Sequence, residues 1–142
     1  MKEQNFKNHG RLIFLWHGFA LLAILAVIIG SFVNLFHADA DTHYSAALIV
    51  VIAFILAILW AYARLFALKA QDRAIRAEEN FRHFILTGKP LDNNLTMPQI
   101  IALRFASDAE FEALAIKAAK ENLSQKQIKQ AVSNWRADHN RV

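Results

Sequence analysis

The fold of this chain is decided by its central stretch, which reads YSAALIVVIAFILAILWAYARLFALKAQDRAIRAEENFRHFIL from Tyr44 to Leu86. The stretch contains no glycine and no proline, and it begins uncharged and ends rich in charge. A helix of this length would extend for roughly 65 Å at ~1.5 Å per residue, whereas the hydrocarbon core of a bilayer takes only about 30 Å. We therefore predict one helix that spans a membrane and projects into the water beyond it.

One stripe of this helix repeats at alternating steps of three and four residues, as the a and d positions of a heptad do. Its five middle positions are all alanine, and small residues let a second helix approach closely, both in lipid and just outside it. Two interpretations stay open: the stripe is a seam for self-association, or the chain's own C-terminal segment covers it. The predicted seam consists of Ala53, Leu56, Trp60, Ala63, Ala67, Ala70, Ala74, Ala77, Phe81 and Phe84.

The composition of the chain is that of a membrane protein. Of its 142 residues 56% are hydrophobic, and they concentrate in two blocks that each reach the ~20 residues a transmembrane helix needs. The absence of cysteine excludes disulfides, thiolate metal sites and thiol nucleophiles. We predict an all-α fold, a two-span transmembrane hairpin whose second span continues into a small cytosolic helical module. Its parts are a cytosolic segment 1–11, transmembrane helix 1 at 12–36, an external loop 37–43, transmembrane helix 2 at 44–68, its cytosolic continuation 69–87 and a three-helix module 95–142.

Basic residues indicate the orientation of the two spans. The N-terminal segment carries three basic residues against one acid, the loop 37–43 carries two acids and no lysine or arginine, and basic residues return after the second span. By the positive-inside rule both termini are cytoplasmic and the loop is outside. Three of the basic residues, Lys69, Arg73 and Arg76, form a stripe that either holds anionic lipid headgroups at the inner leaflet or only orients the helix.

The cytosolic continuation of the long helix is expected to be stabilised by pairs of opposite charge four residues apart. A glycine followed by a proline, Gly88 and Pro90, then ends the helix. We expect the short connection that follows to bring the module only to the far end of the long helix. The predicted pairs are Asp72 with Arg76, Glu78 with Arg82, and Glu79 with His83.

The module repeats one helix-start signal three times, a Ser or Thr with Glu or Gln three residues later, which is the pattern of a capping box. These signals predict helices at about 97–106, 108–122 and 125–138. The core of so small a module is expected to need Phe81, Phe84 and Ile85 of the long helix for its completion. The three boxes are Thr96 with Gln99, Ser107 with Glu110, and Ser124 with Gln127.

The external loop contains the one cluster of side chains of the type that binds metals. His37, Asp39, Asp41 and His43 alternate two apart, so an extended segment would direct all four to one side, where they would suit a zinc-like or manganese-like ion. The alternative is an ordinary acidic outer loop in which an Asp or Thr caps the second span, since such tight spacing seldom encloses one ion.

A second local pattern is similar to a bacterial helix-turn-helix. The spacing of small, turn-forming and apolar residues from Ala118 to Ile128 fits it loosely, as any capped helical hairpin does. The segment from Lys69 onward has 12 basic and 9 acidic residues, a small excess for a protein that binds DNA through phosphates. Its recognition face would consist of Gln125, Lys126, Lys129, Gln130 and Ser133.

Four stretches of the chain are distinctive: the opening Gln4–Arg11, the run Tyr62–Pro90, the segment Gln99–Asp108 and the closing Asn134–Asp138. Together they resemble a family of small two-span membrane proteins of unknown function from Bacteroidota-type bacteria. The resemblance covers nearly the full length and implies a protein of the bacterial inner, cytoplasmic membrane. It transfers no activity, because the family has no established catalytic or binding residues.

No arrangement of residues points to catalysis. The sequence has no nucleophile beside a base, no phosphate-binding glycine loop and no cytosolic carboxylate pair, so we predict no enzyme and no cofactor. Three functional classes remain: a self-associating scaffold or assembly subunit, a membrane-tethered DNA-binding regulator, and a small oligomeric channel. The scaffold is expected to contact membrane lipids, further copies of the chain and an unidentified protein partner, and it is preferred because the features of the other two are weak.

Overall fold

A computed structural model describes residues 4–6, 8, 10 and 12–138 of the chain. Over these residues the fold is all-α, as predicted, with five α-helices and no strand. Contacts divide the chain into an apolar unit, Arg11–Ala67, and a C-terminal unit, which comprises Met1–Gly10 and Leu68–Val142. The helices are α1 (Leu21–Phe36), α2 (His43–Thr87), α3 (Met97–Leu103), α4 (Asp108–Lys120) and α5 (Gln125–Ala131), and a π-helical segment, Leu15–Ala20, leads into α1.

The apolar unit is a pair of antiparallel helices. Trp16 stacks on Trp60 with ring centroids 5.7 Å apart, and the ring of Phe32 meets that of Phe54 edge to face at 6.2 Å. Most of the large apolar side chains of this unit are exposed on its surface. The segments Leu15–Phe36 and His43–Thr87 are both long and apolar enough to cross a membrane.

Two residues of the predicted seam lie in the contact between these helices. Ala53 is buried, and Trp60 stacks on Trp16, so these two positions face the chain's own first helix. The prediction of one unbroken free seam from Ala53 to Phe84 is therefore wrong at this end. A 3.5-residue repeat drifts by about 20° per heptad around a straight α-helix, so one stripe need not keep one neighbour along its length.

The long helix ends at the predicted glycine. Gly88 has φ of 74°, and its N–H donates to the carbonyl of Phe84 at 2.8 Å, which closes the last turn. The chain then runs back along α2, where the N–H of Leu91 donates to Oδ1 of Asn80 at 2.9 Å and the guanidinium of Arg76 reaches the carbonyl of Leu95. The connection thus carries the module back beside α2, and the expectation that it meets only the far end is wrong.

All three predicted capping boxes form. Thr96, Ser107 and Ser124 each take the N-cap position of a helix, and the side chain three residues later accepts the N-cap backbone N–H. The helices end earlier than predicted, and the difference is largest for α5, which stops at Ala131 rather than 138. Val132 turns into extended backbone, and the residues after it bond to α4 and to the α3–α4 loop instead of continuing the helix.

The core of the C-terminal unit is built by α3, α4 and α5 against one face of α2. The prediction that Phe81, Phe84 and Ile85 complete this core is wrong, because these side chains are 65%, 53% and 66% exposed. The buried face of α2 carries Ile75, Glu79 and His83 instead. The core residues are Ile75, Leu91, Leu95, Ile100, Ala102, Leu103, Ala106, Phe111, Leu114, Ala115, Ala118, Ile128 and Val132.

Candidate interaction face of helix α2

The contact between α2 and the module is centred on Arg82, whose side chain is almost buried. Its Nη1 donates to Glu79 at 3.0 Å, its Nε donates to Asp108 at 2.7 Å, and its Nη2 donates to the carbonyl of Ala106 at 2.7 Å. Its guanidinium also lies over the ring of Phe111, 4.3 Å from the centroid. One side chain of α2 thereby holds the start of α4 and the loop that precedes it.

Glu79 is the buried anion of this contact. Its carboxylate accepts a hydrogen bond from Nη1 of Arg82 at 3.0 Å, and Nη1 of Arg136 lies 3.7 Å from the other carboxylate oxygen. Burial raises the pKa of Glu79 above its ordinary value, and the hydrogen bond and charge of Arg82 oppose this rise without cancelling it. The ionised form of Glu79 therefore depends on its two arginine partners.

The three helix pairs predicted from charge spacing do not form in the described part of the chain. Arg82 bonds to Glu79 and Asp108 rather than to Glu78, and Arg76 bonds to a backbone carbonyl rather than to Asp72. Nδ1 of His83 lies 2.7 Å from the carbonyl of Lys89, and the ion pairs of Glu79 are with Arg82 and Arg136 rather than with His83. A hydrogen bond to a buried group of the module stabilises the fold more than an exposed ion pair along one helix does. These bonds therefore determine the conformations of the three side chains.

The opposite face of α2 is free of the module. Ala70, Ala74 and Ala77 are exposed, and so are the rings of Phe81 and Phe84. With Ala74 at heptad position a, the residues that contact the module occupy positions b, c and f, and Asn80 at position g bonds to the connection after α2, so positions a and d stay outside the contact. We call the residues Ala70, Ala74, Ala77, Phe81 and Phe84 the free face of α2.

Residues 132–138 follow α5 as an extended strap across the C-terminal unit. Trp135 pairs with Ala106 as an isolated β-bridge, and the N–H of Arg136 donates to the carbonyl of Phe105 at 2.8 Å. Asp138 forms an ion pair with buried Arg104 at 3.0 Å. The strap thus closes the side of the core that a longer α5 would have left open.

The strap also binds the N-terminal segment. The side-chain amide of Gln4 accepts the N–H of Asp138 at 2.8 Å and donates to its carbonyl at 3.2 Å. Two hydrogen bonds between one side chain and one backbone position fix both groups in register. Gln4 and the strap therefore belong to one unit.

Comparison with known proteins assigns the chain to a family. It matches a family of unknown function, DUF6526, over residues 1–142. The chain belongs to this family. No curated protein and no solved structure matches it. Since the description of DUF6526 records no activity, the function of this member has to be inferred from its geometry.

The DUF6526 chain does not bring its predicted metal ligands together. The loop is not extended, because the N–H groups of Thr42 and His43 both donate to the carbonyl of Asp39 and close a turn. Nδ1 of His37 lies 2.8 Å from the carbonyl of Val33. Among the described residues, which include all of His37, Asp39, Asp41 and His43, no group of three or more His, Cys, Asp or Glu is placed to hold a metal ion.

The other predicted site residues of this DUF6526 chain are placed as follows. Lys69, Arg73 and Arg76 are exposed on α2, and Arg76 also donates to the carbonyl of Leu95. Helix α5 is only seven residues long, which leaves Ser133 of the predicted recognition face outside it. Lys129 of the same face has its Nζ over the ring of Phe105, 5.5 Å from the centroid.

A groove that the sequence did not indicate lies between the end of α2, the connection after it and α4. It encloses about 520 Å³ and is lined by both charged and apolar residues. His83 lines it, although this imidazole is buried and bonded through Nδ1 to the connection. The remaining lining residues are Thr87, Lys89, Pro90, Leu91, Asp92, Asn94, Glu112, Ala115, Ile116, Ala119 and Lys120.

Glu110 has a second role that its capping box did not reveal. Besides the N–H of Ser107 at 3.1 Å, its carboxylate accepts the N–H groups of Ser133 at 3.0 Å and Asn134 at 3.1 Å. Partial burial works to raise the pKa of Glu110, but these backbone hydrogen bonds outweigh it, so the pKa lies below its ordinary value of 4.5. The ionised carboxylate thus ties the strap to α4.

We expect Glu110→Gln to destabilise the strap by about 1 kcal/mol at pH 7, since the charge assistance of these hydrogen bonds is lost. A carboxyl whose folded pKa is lowered stabilises the fold above its unfolded pKa, and this contribution is lost as the pH falls through the folded pKa. The difference in strap stability between the variant and the natural chain should therefore shrink below about pH 4.

Hydrogen exchange of the strap amides measures this stability, and Glu112→Gln on the same helix is the control. Equal protection in all three proteins at pH 7 would contradict the role given to Glu110.

Proposed function

We propose that this chain is a non-enzymatic protein of the bacterial inner membrane that acts as a self-associating scaffold or assembly subunit. The observation that carries the proposal is the free face of α2, which presents Phe81 and Phe84 to solvent opposite the contact with the module. Contiguous exposed apolar surface of this kind marks an interaction site in a folded protein. Helix α1 and the first part of α2 would anchor the chain, and the rest of α2 would present the face in the cytoplasm.

The placement of the N-terminal segment supports a hairpin with both termini on one side of the membrane. Gln4 and Asp138 bond to each other within one unit, although both apolar helices separate them along the chain. If both helices cross the membrane, two crossings return the chain to the side from which it started. The excess of basic residues at both ends and its absence from the loop 37–43 make that side the cytoplasm.

A second copy of the chain is the partner that best fits the free face. Copies anchored in one membrane share one orientation, so their α2 helices run parallel and present the same face at the same height. Alanines at positions 70, 74 and 77 permit close approach of two backbones, and the rings of Phe81 and Phe84 supply the apolar area that alanine lacks. The contact with the module leaves this side of the helix uncovered, which favours the seam over the alternative of a self-covered helix.

The other two functional classes, a DNA-binding regulator and an oligomeric channel, are less well supported. A seven-residue α5 with Lys129 directed over Phe105 offers little surface for a DNA groove. Within the apolar helices Ser31 is buried and donates to the carbonyl of Ile28 on its own helix, so it does not line a polar path. We also propose that exposed Lys69 meets anionic headgroups at the inner leaflet.

Cross-linking of the full chain in native membranes tests the proposal. We expect a discrete dimer or higher oligomer at low expression level, where random encounters are rare. An unrelated two-span protein expressed at the same level is the control for crowding. A chain that stays monomeric under conditions in which known dimers are captured would show that the free face does not mediate self-association.

A further inference from the structure

The heptad positions that flank the free face carry one pair of opposite charges. Counting from Ala74 at position a, Glu78 falls at position e and Arg73 at position g. In a parallel pair of helices, the g residue of one helix meets the e residue five positions further along the other helix. Arg73 of one copy would thus meet Glu78 of a second copy.

Both side chains are available for such a contact. Arg73 and Glu78 are exposed, and neither forms an ion pair within the described part of the chain. Glu78 is left without its expected helix partner because Arg82 binds Glu79, Asp108 and the carbonyl of Ala106 instead. The groove that Glu78 lines, of about 380 Å³, also contains Phe81, Ile85 and Arg136 and opens beside the free face.

We infer that the free face binds a second copy of this chain in a parallel, in-register arrangement fixed by two symmetric ion pairs between Arg73 and Glu78. This inference rests on the proposed self-association and adds its orientation and register. A shift by one heptad would place Arg73 against Gln71 or Ile85, and an antiparallel arrangement is excluded for copies that share one membrane orientation. The apolar contact of Phe81 and Phe84 provides adhesion, and the charges select the register.

Charge exchange in the full chain tests the inference. Arg73→Glu alone and Glu78→Arg alone each turn two attractive contacts into repulsive ones, and we expect each to weaken dimerisation in detergent micelles roughly tenfold. The double variant, with both substitutions, restores opposite charges across the interface and should regain most of the loss. Energy transfer between copies labelled at their C-termini measures the dissociation constant of all four proteins.

The outcomes separate the two proposals. If the natural chain dimerises and the four proteins have equal dissociation constants, or if the double variant is as weak as the two losses combined, the register is wrong while self-association stands. If the natural chain does not dimerise at all, the proposed function itself fails. Because Glu78→Arg also places a charge beside Arg136, hydrogen exchange of the module amides checks that each variant keeps its fold. If one of the single variants unfolds, Arg73→Gln takes its place. We expect this variant to lose an intermediate amount of dimer affinity, and an unchanged dissociation constant would overturn the inference.

Discussion

Replacement of Arg82 by methionine should destabilise the C-terminal unit by about 3 kcal/mol, because it leaves the carboxylate of Glu79 buried without its closest partner. Glu79 is only 5% exposed, and the remaining cation, Arg136, is 3.7 Å away and itself half exposed. The exposed partner of Arg82, Asp108, contributes little to this loss, since an exposed ion pair is weak. In the full chain the amides of α4 should then exchange roughly a hundredfold faster.

Two further measurements identify the buried charge as the cause. A double variant, Glu79→Leu with Arg82→Met, removes both charges and should recover a large part of the loss, since an apolar pair of similar volume fills the same space. The penalty of Arg82→Met should also shrink as the pH falls. Burial raises the pKa of Glu79, so the folded state takes up the proton more readily than the unfolded state and gains stability as the pH falls through the folded pKa. A double variant that is less stable than Arg82→Met alone would contradict this account.

Replacement of both Ala70 and Ala74 by glutamate should abolish self-association. The two carboxylates would face their counterparts in the second copy at the closest approach of the helices, where neither can be paired or hydrated well. We expect the dissociation constant to rise by more than roughly a hundredfold, equivalent to about 3 kcal/mol. Cross-linking in membranes and energy transfer in micelles both measure the change.

The matched control lies on another helix of the same unit. Ala109 and Ala113 are exposed alanines of α4, four residues apart like Ala70 and Ala74, and they lie outside the free face. Their replacement by glutamate adds the same charge and should leave the dimer intact. If both double variants weaken association to the same extent, the effect is one of net charge and the free face has no special role.

Local sequence signals predicted most of the helical framework. The long helix was expected from Tyr44 to Leu86 and runs from His43 to Thr87, because an uninterrupted run without glycine or proline has a clear stop at Gly88. The capping boxes were predictable for the same reason, since each depends on residues only three positions apart. Signals of this kind act within one helix and need no knowledge of tertiary contacts.

Tertiary contacts explain the parts that the sequence did not reveal. The spacing of the apolar residues Ile128, Ala131, Val132 and Trp135 predicts a longer α5. The helix ends early because the N–H groups of Ser133 and Asn134, which would continue it, donate to the carboxylate of Glu110 instead. The face of α2 that meets the module carries the charged residues Glu79 and Arg82, whereas the aromatic rings of the same helix point to solvent. Hydrophobicity alone therefore assigned the wrong face of α2 to the core.

Position-by-position disulfide trapping along α2 tests the central claim most directly, because the chain has no cysteine of its own. Single cysteines would be placed on the free face, at Ala70, Ala74, Ala77, Phe81 and Phe84, and at the exposed positions Lys69 and Arg76 away from it. In a parallel, in-register dimer only the a and d positions bring two Cβ atoms within the distance that a disulfide requires. The account predicts fast cross-linking in membranes at the five positions of the free face and slow cross-linking at Lys69 and Arg76. Equal rates at all seven positions, or faster cross-linking at Lys69 and Arg76, would contradict it.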